Sequence, residues 1–169
     1  MPRRPLSVAY EIRQSRPFHS VGHELAVTLI RTAAVVTARG AELLAGSGLT
    51  PPQYNVLRIL RGAGAEGLPT LAIGERMLDL SPGVTRLVDR LEKAALVTRE
   101  RSDADRREVR CRITPAGLAL LKKLDGPIEA ADLELVAQLS PAEQRTLVRL
   151  LDIVRNNAAH PAAASSKDR

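Results

Sequence analysis

Apolar side chains recur at helical spacing early in the chain, at Val21, Leu25, Leu29, Ala33 and Val36, which predicts a long helix from about Ser20 to Leu44. Gly46 and Gly48 would end it. Later helix starts follow a repeated local grammar, a hydroxyl residue followed by proline: Thr50-Pro51, Ser81-Pro82, Thr114-Pro115 and Ser140-Pro141. The hydroxyl can accept a hydrogen bond from the first turn, and proline supplies helical φ where its missing N–H costs nothing. Thr50 with Gln53 and Ser140 with Glu143 also fit the capping box, in which the third helical side chain reaches back to the cap amide. Helices are expected from Pro51 to about Arg61, within Pro82 to Ala95, from Pro115 to about Leu139 and from Pro141 to about Asn157. Thr70 should cap a short helix through Leu78, and Gly126-Pro127 should kink or split the helix that contains them, because proline removes a helical hydrogen bond.

Between Pro82 and Ala95, the residues Val84, Leu87, Val88, Leu91 and Ala94 fall on one stripe, leaving Gly83, Thr85, Arg86, Asp89, Arg90 and Lys93 on the other faces. From Val97 the period changes to two. Val109, Cys111 and Ile113 alternate with Glu108, Arg110 and Arg112, as in a half-buried strand, and Val97 to Arg101 is its hairpin partner. The connecting stretch from Ser102 to Arg107 is rich in turn formers and charge. The fold class is therefore mainly α with a small β-hairpin wing. Residues 1–17 read as a flexible basic arm and 158–169 as a disordered tail, bracketing one domain over 18–157.

Composition narrows the possibilities. The 169 residues carry 25 Lys and Arg against 19 Asp and Glu, a formal charge of +6. At 44% hydrophobic and 26% charged, a chain of this length can bury a genuine core, which excludes a disordered protein. The single cysteine, Cys111, excludes an internal disulfide and a cysteine-based zinc cluster, so the cytoplasm is the expected compartment. The longest apolar run is broken at Arg31, and neither an export signal nor a membrane partner is expected. Aromatic residues are few, which removes the stacking platforms that grip single strands and RNA loops. A duplex backbone survives as a partner for the basic chain.

A short helix, a turn, a polar-fronted helix and a hairpin with an arginine-rich tip follow the order of a winged helix-turn-helix. The major groove of DNA admits one helix, whose N-terminal side chains meet base edges while its apolar back is held by the domain. On this reading Gly83 and Thr85 allow close approach, Arg86 and Arg90 reach guanine or phosphate, and Ser81 caps the helix and touches phosphate. The hairpin balances six arginines against four acids, so placement matters more than net charge. At its tip Arg106 and Arg107 could enter the minor groove, with Asp105 bracing Arg107.

The stretches Leu49-Thr50-Pro51-Pro52-Gln53-Tyr54-Asn55-Val56-Leu57, Val84 to Lys93, Asp105-Arg106-Arg107 and Ile113-Thr114-Pro115-Ala116-Gly117 together resemble the MarR family of bacterial transcription regulators. The resemblance covers about Ser20 to Asn157. It implies a homodimer with dimerisation helices at about 20–45 and 115–157, and a winged helix-turn-helix over about 50–113 that reads a pseudo-palindromic operator. It also implies a repressor released by a small, often aromatic or phenolic, ligand. Two positions depart from the family pattern: Ala95 stands where glycine is usual after the recognition helix, and Leu78-Asp79 fill the inter-helix turn.

Other features carry plainer readings. His19 and His23 share a helical face but lack a third metal ligand, so they read, with Tyr54, as candidate effector-pocket residues, and neither a metal nor a cofactor is expected. Cys111 reads as a buried structural thiol. Gly62 to Gly67 formally fits a dinucleotide fingerprint, yet it follows a helix where that motif needs a strand, and reads as a flexible loop. No catalytic motif is present, which disfavours an enzyme. Two alternatives to a sequence-specific regulator stay open: a nonspecific architectural DNA-binding protein and a protein-interaction module built on the long helices.

Overall fold

A computed structural model of the chain describes residues 6–79, 83–101 and 109–160. The order of elements is α1 (Val8–Glu11), α2 (Val21–Leu44), α3 (Pro51–Ala63), β1 (Leu68–Pro69), α4 (Thr70–Gly74), α5 (Val84–Lys93), β2 (Val97–Arg101), β3 (Val109–Ile113), α6 (Pro115–Leu135) and α7 (Pro141–Ala159). Contacts divide the chain into two units, one ending at Gly126 and one beginning at Pro127.

The caps work largely as the sequence predicts. The Ser20 hydroxyl accepts from the His23 amide at 3.1 Å and starts α2. Gln53 Oε1 takes the Thr50 amide at 2.9 Å, and Glu143 takes the Ser140 amide at 2.8 Å. At Thr114 the hydroxyl accepts from the Gly117 amide and donates to the Ala95 carbonyl, tying the start of α6 to the end of α5. Ser81-Pro82 lies outside the described residues.

In the first unit the core is a dry cluster in which Val56, Leu57 and Leu60 of α3, Ile73 of α4, Val88 and Leu91 of α5, Cys111 of β3 and Leu121 of α6 are fully buried. Each such aliphatic side chain contributes about 1.5–3 kcal/mol relative to exposure. These residues hold α3, α4, α5 and the sheet together, and that is the platform for the site below. By contrast, no residue from Pro127 to His160 is buried, although Leu147, Val148, Leu150, Leu151 and Ile153 of α7 are large and apolar.

Several expectations are corrected. The wing is a three-stranded antiparallel sheet in the order β1-β3-β2, because Leu68 and Pro69 pair with Cys111 and Arg110. Two residues are too short a run to show a strand period. Thr70 is the first residue of α4, with Pro69 in the cap position, and α4 stops at Gly74. Beyond it the Leu78 amide is taken by Asn55 Oδ1 at 3.0 Å, a partner distant in sequence. Gly62 to Gly67 is not a loose loop, since it completes α3, forms a 3-10 turn at Gly64–Glu66 and packs Gly67 against β3. Pro127 does not split α6, which runs through it and ends at Leu135. One missing hydrogen bond is tolerated there between two good helix-forming segments.

The N-terminal stretch expected to be a flexible arm contains α1, capped by Ser7 and held to α2 by the Glu11–Arg31 ion pair at 3.1 Å. By length and composition α2, with the turn after it, is long and apolar enough to cross a membrane, and none of its most apolar window is buried within the chain. Arg31 breaks the run without offsetting the average. Val21, Leu25, Ile30, Val35 and Val36 are exposed on it, an apolar surface that the described residues leave uncovered.

Candidate nucleic-acid interface

Helix α5 sorts its side chains into three ridges, each at positions i, i+4 and i+7 and so each on one face. Val84, Val88 and Leu91 form the buried ridge that seats the helix on the core. Arg86, Arg90 and Lys93 form an exposed basic ridge across from it. Thr85, Asp89 and Glu92 form the third, on the flank toward the wing, where Arg99 of β2 meets all three. A helix so anchored presents a cationic edge without disturbing its own packing.

Arg99 Nη2 lies 2.6 Å from Asp89 and donates to the Thr85 carbonyl at 3.3 Å, while its Nη1 lies 3.3 Å from Glu92. Burial acts to lower the Arg99 pKa, but the hydrogen bond and charge of Asp89, the hydrogen bond with Cys111 and the charge of Glu92 together outweigh it and hold it above the ordinary guanidinium value. Two more arginines of the described wing are also engaged. Arg110 donates to the carbonyls of Glu66 and Gly67, and Arg112 pairs with Glu100. These two serve the sheet.

The C-terminal end of α5 closes with the Leu96 amide on the Leu91 carbonyl at 2.9 Å, which requires a left-handed residue before it. Ala95 takes that role at φ 57°. At the N-terminal end of α5, an open groove of about 690 Å³ runs between α4 and α5, edged by Thr70, Leu71, Gly74, Glu75, Gly83 and Thr85. Asn55, which fixes the turn leading into this groove, is a positioning residue that sequence reading missed. No local pattern marks it, because its partner, the Leu78 amide, is distant in sequence.

Of the residues expected to meet DNA, Gly83, Thr85, Arg86 and Arg90 lie together along the start and outer faces of α5, all exposed. Ser81, Asp105, Arg106 and Arg107 lie outside the described residues. The effector candidates fall on separate elements. His19 and His23 stack with ring centroids 4.3 Å apart at the start of α2, with Phe18 edge-on to His23 at 5.3 Å. Tyr54 is half-buried on α3 with the Arg58 guanidinium 5.8 Å from its ring centre. Among the described residues no group of three or more His, Cys, Asp or Glu side chains could hold a metal ion.

An apolar-backed helix with a basic front, preceded by the short helix α4 and flanked by an antiparallel wing, defines the winged helix-turn-helix class of DNA-binding folds. The family comparison narrows this. The MarR family profile matches residues 47–108, which run from before α3 to the wing. The chain is similar to the HTH-type transcriptional regulator MhqR of Bacillus subtilis, 35% identical over 112 residues, covering 66% of this chain and 75% of that protein. It is similar to the crystal structure of a MarR transcription factor from Planctomyces limnophilus, at 37% identity and a TM-score of 0.61, covering 81% of this chain and 99% of that one. It is also similar to Bordetella bronchiseptica BpsR, at 28% identity and a TM-score of 0.69, covering 83% and 98%, in a structure that concerns regulation of DNA binding by 6-hydroxynicotinic acid. The chain belongs to the MarR family of transcription regulators.

Proposed function

We propose that this chain is a sequence-specific duplex-DNA-binding regulator that binds a pseudo-palindromic operator as a homodimer and represses transcription until a small-molecule effector releases it. The observation that carries the reading is the segregation of α5, with Arg86, Arg90 and Lys93 exposed opposite a fully packed apolar ridge. In the major groove, Thr85 and Arg86 are placed to read base edges, while Gly83 allows close approach. Ser81 and Arg90 contact phosphate, and Arg106 and Arg107, with Asp105 as brace, occupy the minor groove.

Homodimerisation is supported by the uncovered apolar residues of α2 and by the second unit, which buries none of its described residues. Helices of that kind draw their stability from packing against a partner. Effector response is supported by the similarity to BpsR, and His19, His23 and Tyr54 are the candidate lining. Release would follow from population shift: an effector preferring a dimer whose recognition helices are not about 34 Å apart weakens operator binding by its differential affinity. The site of action is the cytoplasm, on nucleoid DNA.

The test is a fluorescence-anisotropy titration of a duplex from the chain's own upstream region against a shuffled duplex of equal composition, at two salt concentrations. Tight binding of one dimer to the native duplex alone is the expected result. Equal, strongly salt-dependent binding to both would favour the architectural alternative, and binding to neither would favour an interaction module.

A further inference from the structure

Two carboxylates sit on the recognition helix itself, Asp89 and Glu92, on the ridge adjoining Arg86, Arg90 and Lys93. Left uncompensated beside a phosphate backbone they would repel it at close range, because the pairs would be only partly solvated. Neither stands alone. Arg99, in the middle of β2, spans both carboxylates and the Thr85 carbonyl at 2.6–3.3 Å, and its side chain is 25% exposed. Its backbone pairs in register with Cys111, which is fully buried, so the clamp is built on the packed face of the sheet.

We propose that Arg99 is a positioning residue for DNA reading: it fixes the wing against the flank of α5 and neutralises Asp89 and Glu92, so that the duplex meets the basic ridge alone. The proposal rests on the DNA-binding reading of α5. It assigns Arg99 a task different from that of a phosphate-contacting arginine, since its donors are committed within the protein. A lysine cannot substitute fully, because one ammonium lacks the planar fork that spans two acids and a carbonyl.

The experiment uses the full chain as Arg99→Gln, Arg99→Lys, Asp89→Asn with Glu92→Gln, and the triple combination of Arg99→Gln with both acid changes. Folding is checked by circular dichroism. The first readout needs no DNA: Cys111 is the chain's one thiol and is fully buried, so its rate of reaction with an aromatic disulfide reports opening of the wing. Arg99→Gln should raise that rate about tenfold or more, with Arg99→Lys between it and the parent, as loss of a clamp worth a tenfold shift in opening requires. The second readout is operator affinity. Arg99→Gln should weaken binding about tenfold with an unchanged salt slope, and the triple variant should regain a threefold or larger part of that loss, because the exposed acids are gone.

An unchanged Cys111 rate would overturn the clamp. A flattened salt slope in Arg99→Gln would show that Arg99 contacts phosphate and would overturn the assignment. Failure of the triple variant to regain affinity would do the same for charge neutralisation. If the parent bound no duplex, the DNA-binding reading would fall, while the Cys111 rates would still decide whether Arg99 holds the wing.

Discussion

Replacing Gly67 by alanine tests how the base of the wing is held. Gly67 has φ 62° and ψ −172°, a region essentially reserved for glycine, and Gly64 has a closely similar conformation at φ 64° and ψ −149°. Forcing alanine into that region costs about 1–3 kcal/mol at either position, less about 0.4–1 kcal/mol because alanine narrows the unfolded ensemble. The two sites differ in space. A Cβ at Gly64 would meet nothing within 4 Å, whereas at Gly67 it would lie 2.4 Å from the Cys111 carbonyl oxygen and 2.6 Å from Arg112 Cγ. The Arg112 side chain can move, but the Cys111 carbonyl belongs to the central strand of the sheet and cannot retreat without disturbing β1 or β2. That adds about 1–3 kcal/mol of overpacking at Gly67 alone. For a chain of this size the gap between Gly67→Ala and Gly64→Ala should be about 6 °C in Tm, taking about 2–4 °C per kcal/mol. The comparison is made by thermal and urea unfolding at one fixed protein concentration, because a dimer's apparent stability depends on it. Equal losses for the two variants, or a Gly67→Ala protein as stable as the parent, would refute the argument from close approach.

Ala95→Gly should stabilise the chain by about 0.5–1 kcal/mol in urea titrations, since relief of a left-handed alanine exceeds the added unfolded-state entropy; a destabilised variant would show that the Ala95 methyl is needed for packing. Arg107→Ala should weaken binding to operator and random duplex alike and reduce the salt slope by about 1.8 per dimer, as two positive charges at about 0.9 each leave the interface. Arg86→Ala should instead relax base preference at one position of each half-site, and an equal loss on both duplexes would contradict the division of roles. Arg110→Gln and Arg112→Gln should leave the slope unchanged, because these side chains pair within the sheet. The Glu143 carboxyl is held below its ordinary range by hydrogen bonds from the Ser140 hydroxyl and amide. A depressed folded pKa gives stabilisation that is present above the unfolded value and lost as pH falls through the folded one. The pH dependence of unfolding below about pH 4.5 should therefore flatten in Glu143→Gln, and an unaltered profile would exclude a contribution from this cap.

Signals carried by neighbouring residues were legible in the sequence. The cap at Ser140 and the reach-back from Gln53 to Thr50 depend on residues three apart, and the strand alternation from Val109 to Ile113 needs only five positions. Helix α5 was legible for the same reason, and its buried residues Val84, Val88 and Leu91 are three of the five on the expected stripe. What escaped depends on distant partners. The strand β1 exists because Cys111 and Arg110 lie beside Leu68 and Pro69, more than forty positions away in sequence. The turn after α4 depends on Asn55, and the order of α1 on Arg31, neither of which a local pattern contains. The tip residues Asp105, Arg106 and Arg107 rest on motif and spacing alone.

The same distinction governs how the basic charge should be read. A net charge of +6 and an arginine-rich hairpin invite the view that every wing arginine faces DNA. In the folded chain Arg99, Arg110 and Arg112 are each committed to an acid or a carbonyl within the first unit. Their positive charge offsets Asp89, Glu92, Glu66 and Glu100 instead of adding to the surface field. Arg86, Arg90 and Lys93 lie exposed on the opposite side of α5 from its buried ridge, and the acids on the adjoining ridge are paired with Arg99. Charge composition in this chain therefore measures how strongly the wing is fastened as well as how strongly a duplex is attracted, and only the side-chain partners separate the two.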